Sequence, residues 1–171
     1  RPAGKRIAQA WATRRREPRW GGMSKIGNAG DIRIGVSGWT YAPWRGNFYP
    51  QGLVQKRELA FAASQFNALE INGTFYGMHT PKAFGGWAEA APEGFVFAVK
   101  GPRYLTHMLR LKEPEAPLAN FFASGPLALG DRLGPVLWQF PERFSFNAER
   151  IEHFFELLPR DTMAAAALAH R

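Results

Sequence analysis

Four short apolar runs, each closed by a polar residue and a Gly or Pro turn, constrain this chain more than any other feature. They occupy residues 32–37, 68–72, 95–100 and 135–139. The first alternates and turns Gly-rich, as a strand does where a neighbour approaches closely. The third, Phe95-Val96-Phe97-Ala98-Val99-Lys100, is apolar on both faces, as a buried parallel strand requires.

Helical patterns fill the gaps. Leu59, Ala62, Ala63 and Phe66 share one face of a helix predicted over 56–66. Thr80 ahead of Pro81 supplies a cap oxygen and a first-turn proline for a helix running toward Ala91. A short helix is predicted over 105–111, then a helical stretch over 118–131 weakened by Gly125 and Pro126. Asn147 caps a helix striped with Ile151, Phe154, Phe155 and Leu158, and Asp161-Thr162 opens an Ala-rich one. Strand and helix alternating four times predict an α/β fold with a parallel sheet. Its C-terminal rim then carries Ser37, Glu70, Asn72, Lys100 and Gln139. In such folds chemistry is done at that rim.

The chain's 171 residues, 46% of them hydrophobic, suffice for one substantial core. The formal net charge of +8 raises nucleic acid as a partner, but its distribution argues otherwise. Residues 1–30 hold eight basic groups against Glu17 alone, and residues 31–171 hold 14 basic against 13 acidic. A nearly neutral fold offers no extended phosphate-binding face. Residues 1–30 read as a basic disordered or extension arm, with Met23 as an internal start signal; a nucleic-acid-binding arm and an Arg-rich targeting peptide are the alternatives. The absence of cysteine removes disulfides and thiolate metal sites and favours a reducing compartment. No apolar run reaches the roughly 20 residues that span a bilayer, and the expected location is cytoplasmic.

The block Gly35-Val36-Ser37-Gly38-Trp39-Thr40-Tyr41, continued by Trp44-Arg45-Gly46-Asn47-Phe48-Tyr49-Pro50, resembles the bacterial YecE-like family, domain of unknown function 72. Leu69-Glu70-Ile71-Asn72-Gly73-Thr74-Phe75-Tyr76, Phe97-Ala98-Val99-Lys100 and Gly134-Pro135-Val136-Leu137-Trp138-Gln139-Phe140-Pro141 follow in family order. Four blocks in order are specific where one would not be. The resemblance implies a (β/α)8 TIM-type barrel of unestablished activity. Such a barrel takes about 250 residues, so it also implies that residues 31–171 are the N-terminal half, about the first four βα units. Two open sheet edges would then need the other half of the barrel, or a second copy, to cover them.

Glu70 and Lys100 are the candidate catalytic residues. Glu70 and Asn72 stand two apart on one strand and point the same way. Glu70 suits a general base, or else a structural partner of Lys100 on the adjacent strand. Lys100 suits an anion contact or an amine base. Ser37, Asn72, Thr74 and Gln139 are candidate ligand contacts, and Trp39, Tyr41 and Tyr76 candidate stacking surfaces. The aromatic group they join, with Trp44, Phe48, Tyr49 and Phe75, reads equally as a lid packed over the rim. Ser37 lacks a nucleophile elbow, and no phosphate loop or dinucleotide fingerprint names a cofactor. The expected ligand is a small polar or phosphorylated molecule. The alternatives are a metal-assisted nucleic-acid phosphodiester hydrolase, with His79 and His107 joining Glu70 around the metal, and a non-catalytic scaffold.

Overall fold

The computed structural model describes residues 31–170. The chain divides into two units, Arg1–Arg33 and Ile34–Arg171, and the fold belongs to the second. The basic arm expected over residues 1–30 lies outside the described residues.

Four parallel strands form one sheet in sequential order. They are β1 (Gly35–Ser37), β2 (Ala68–Ile71), β3 (Val96–Lys100) and β4 (Leu133–Leu137). The helices are α1 (Glu58–Gln65), α2 (Gly73–Tyr76), α3 (Pro81–Ala90), α4 (Glu115–Ala123), α5 (Ala148–Leu157) and α6 (Thr162–Leu168). This is the α/β arrangement expected, with four βα units. The caps act where their sequences place them. Thr80 Oγ1 accepts from Ala83 N at 3.3 Å, Asn147 Oδ1 from Arg150 N at 2.8 Å, and Asp161 Oδ1 from Ala164 N at 2.7 Å.

Strand alternation divides the sheet into two faces. Leu69, Ile71, Phe97 and Val99 are buried together with Leu59 and Ala62 of α1, Phe84 of α3 and Phe121 of α4 in one core cluster. Each such large side chain contributes about 1.5–3 kcal/mol by leaving water. The opposite face carries Ser37, Glu70, Ala98 and Lys100 and stays partly open.

Register sets which residues meet. Ser37 lies opposite Glu70, Glu70 opposite Ala98, and Ile71 opposite Val99. Asn72, one residue beyond Ile71, is therefore level with Lys100. Gly35 permits the tight β1–β2 approach, since a Cβ there would sit 1.9 Å from the Ala68 carbonyl oxygen.

Four expectations shift. β1 is shorter than the apolar run 32–37, and Ile34, Gly35 and Ser37 are exposed. The run 135–139 is displaced: β4 begins at Leu133, because the register slips between Phe97 and Val99 and Pro135 is accommodated at that bulge. The short helix α2 follows β2 directly, and the helix expected over 105–111 is a π-helical turn, Tyr104–Met108. The weak helical stretch over 118–131 resolves into α4 and a 3-10 segment, Pro126–Arg132, separated by Gly125 at φ 113°.

Candidate functional site

The strand ends place two polar pairs side by side on the open face. Ser37 Oγ donates to Glu70 Oε1 at 2.6 Å. Lys100 Nζ donates to Asn72 Oδ1 at 3.2 Å. Each pair joins residues level with one another on adjacent strands, so the register alone accounts for the pairing. The Glu70–Lys100 ion pair offered as the structural alternative is not what forms, because those two residues sit on different levels of the sheet. Among the described residues, the ion pairs are Arg33–Asp31, Arg45–Glu58 and His153–Glu115.

Lys100 thus has neutral company. Besides Asn72, its ammonium stands 4.8 Å from the centroid of the Phe75 ring. A cation over an aromatic face is held without being neutralised. Glu70, in turn, accepts from the Ser37 hydroxyl and, among the described residues, takes part in no ion pair.

Thr74 plays a different part from the ligand contact expected of it. It is buried, and its hydroxyl lies 2.8 Å from the Ile71 carbonyl oxygen and 2.6 Å from that of Lys100. Having one proton, it serves one carbonyl at a time and ties the end of β2 to the end of β3. Gln139 lies two residues beyond β4 and is exposed, off the strand end where the sequence placed it.

The aromatic group divides. Trp44 spans the division, its ring 4.7 Å from that of Tyr41 and 6.0 Å from that of Tyr49. Phe48 and Tyr49 do not cover the rim: Phe48 contacts Phe61 and Phe66 at ring separations of 5.5 and 5.6 Å, and Tyr49 is fully buried beside Phe61. They pack on the outer side because α1 presents apolar rings there. Trp39, Tyr41 and Tyr76 stay at the rim. Tyr41 donates to the Ser37 carbonyl at 2.5 Å, and Trp39 meets Trp87 edge-on at 5.5 Å. Tyr76 is 67% exposed and meets Phe75 edge-on at 5.1 Å, leaving a ring face open to a ligand.

His79 and His107 pack against aromatic rings. His79 stacks edge-on to Trp87 at 5.0 Å, and His107 to Phe75 at 5.1 Å. His107 Nδ1 is 2.9 Å from Thr106 Oγ1, and burial, then Arg103 and Lys100, hold its pKa below the ordinary value of 6.5. Among the described residues no three His, Asp or Glu side chains are placed to hold a metal ion. The cluster of Glu70, His79 and His107 that the metal-assisted alternative needs does not form.

Sequence reasoning missed Glu58. It is fully buried at the start of α1, accepts from Arg45 Nε at 2.7 Å, and leaves Oε2 without a partner. A Glu opening a helix reads from sequence as an ordinary solvated end, and only the loop folding back over it reveals the burial. Tyr49, beside it, has its pKa pushed up to about 12 by burial and by the Glu58 charge.

Residues 33–171 match the family model described as protein of unknown function DUF72. The UPF0759 protein YunF of Bacillus subtilis is 26% identical over 71% of this chain and 44% of its own length. The UPF0759 protein YecE of Escherichia coli is 27% identical over 72% of this chain and 50% of its own. The chain spans about half the length of the curated relatives it matches. Among solved structures, a DUF72 family protein from Thermotoga maritima superposes with a TM-score of 0.61 at 31% identity, over 73% of this chain and 50% of that one. One from Enterococcus faecalis superposes with a TM-score of 0.58 at 20% identity, over 74% and 46%, which bears on the fold alone.

Proposed function

This chain belongs to the DUF72 family of proteins of unknown function, and from that premise we propose that its sheet rim binds a small anionic ligand, phosphorylated or carboxylated. Lys100 supplies the charge, Asn72 and Ser37 orient ligand oxygens, and Tyr76 and Trp39 wall the ligand in. Glu70 is the group that moves a proton if the bound molecule is turned over.

One observation carries this reading. Lys100 Nζ is held by an amide oxygen and a ring face, with no carboxylate among its described contacts. A half-buried ammonium without a counter-ion is an anion site in waiting, since charge-assisted bonds to phosphate or carboxylate are about twice as strong as neutral ones. Glu70 supports the second half. Its Oε1 takes the Ser37 proton at 2.6 Å, a geometry that can relay a proton to or from a ligand oxygen.

Titration calorimetry with inorganic phosphate and with a sugar phosphate tests the reading. The wild type should bind at least one of them, Lys100→Met should lose at least tenfold, and Glu70→Gln should keep the affinity while abolishing any turnover. Unchanged affinity and turnover in both variants would remove rim chemistry and favour the scaffold alternative.

Two further points belong to the same proposal. The open sheet edges are covered by four more strands, from the other half of a barrel or a second copy; a sharp monomer peak with cooperative melting for this chain alone would contradict that. A cytoplasmic setting is supported by the cysteine-free sequence. Among the described residues no helix is long and apolar enough to cross a membrane.

A further inference from the structure

The buried Glu58 lies away from the rim pairs, on a helix that packs against the covered face, and yet one run of contacts leads from it to Ser37. Glu58 Oε1 accepts from Arg45 Nε at 2.7 Å. Arg45 pairs through the backbone with Tyr49 in a bridge, and Gly46 N donates to the Tyr49 carbonyl at 2.9 Å. The Tyr49 hydroxyl donates to the Trp39 carbonyl at 2.5 Å. Two residues further on, Tyr41 donates to the Ser37 carbonyl, and Ser37 donates to Glu70. Trp39 carries the connection sideways to Trp87, against which His79 also packs.

A carboxylate is an expensive way to hold a loop. Buried charge must be paired, and a buried ion pair is often matched or bettered in stability by apolar side chains of similar volume. Here the pairing is incomplete as well, since Oε2 is buried with no partner. An orphaned buried oxygen in a folded protein calls for an explanation other than stability. What Glu58 supplies that a leucine would not is direction: a charge-assisted bond aims the Arg45 guanidinium, and with it the turn Ala42–Trp44 and the backbone leading to Trp39.

From this, the structure assigns Glu58 the role of a positioning residue, which acts through Arg45 and Tyr49 to set the loop over residues 38–49 and hence Trp39, Tyr41 and Ser37 at the ligand-binding rim. The assignment rests on the anion-binding reading for what the loop is positioned to do. The placement of the loop itself does not depend on that reading.

The test uses the full chain and separates holding from aiming. In Arg45→Met/Glu58→Met the charges are gone and the volume is kept, so the melting temperature should stay at or above that of the wild type. Amides over residues 38–49 should exchange with deuterium about tenfold faster, and the dissociation constant for inorganic phosphate should rise about tenfold. Glu58→Gln, which preserves shape, should show the same two effects at several-fold; it decides the matter if the double variant does not fold. Loop exchange that matches the wild type in a folded variant overturns the role. Exchange needs no ligand, so a wild type that binds no phosphate counts against the anion reading alone, and the loop still reports on Glu58.

Discussion

Glu70 and Glu58 are the same residue in opposite circumstances. Glu70 stands at a strand end on the open face, half-buried, with a serine hydroxyl for company. Glu58 is fully enclosed behind the sheet, with a guanidinium on one oxygen and nothing on the other. Water remains close enough to the first to solvate its charge. The second has Arg45 as its hydrogen-bonded counter-ion and the N-terminal turn of α1 beside it. The difference teaches that a carboxylate's worth to stability and its worth to chemistry are set by what surrounds it. The half-buried one keeps access to the open face, while the enclosed one can only hold a partner in place.

The contrast can be broken most sharply from the Arg45 side. Arg45→Met leaves Glu58 buried and uncompensated, and stability should fall by about 3 kcal/mol or more, within the 3–5 typical of a broken buried pair; urea unfolding measures it. If the loss is under 1 kcal/mol, Glu58 does not rely on that guanidinium. At the rim the effects should be smaller. Glu70→Gln keeps an acceptor for Ser37 but trades a charged for a neutral hydrogen bond, and about 1 kcal/mol should be lost in the same measurement.

Lys100→Met should change stability by less than about 1 kcal/mol, because an amide contact and a ring contact are all that is given up. Its anion affinity is where the loss should appear. A destabilisation as large as that of Arg45→Met would mean that Lys100 is a structural residue after all.

The smallest effect concerns pH. Burial, Arg103 and Lys100 lower the His107 pKa below its ordinary 6.5, so the unfolded chain binds the proton more readily than the folded one. The stability associated with neutral His107 is therefore complete above 6.5 and lost as pH falls below it. Wild type should lose more stability than His107→Gln between pH 7.5 and 5.5. Equal losses would show that another group governs the acid side.

Much of the fold was legible along the chain. The cap residues Thr80, Asn147 and Asp161, the alternation in β2 and β3, and the four recurring strand ends are local signals, each readable within a dozen residues. The displacement of β4 was not legible, because proline ordinarily excludes a strand interior and only pairing with β3 shows that Pro135 falls at a bulge. Nor was the fate of the aromatic block. Phe48 and Tyr49 look identical in sequence to rim residues, and it is the presence of Phe61 on α1 and Phe66 just beyond its end that draws them to the outer side.

By itself the sequence determined that polar side chains gather at one end of a parallel sheet, since strand direction and residue parity follow from local periodicity. Only the tertiary structure decided the partnerships: Ser37 with Glu70, Asn72 with Lys100, and Glu58 with Arg45. The reason is that partnership across strands depends on register, and burial depends on which distant segment folds over a residue. Both are set by contacts between residues 13 to 33 positions apart, beyond the reach of any local pattern.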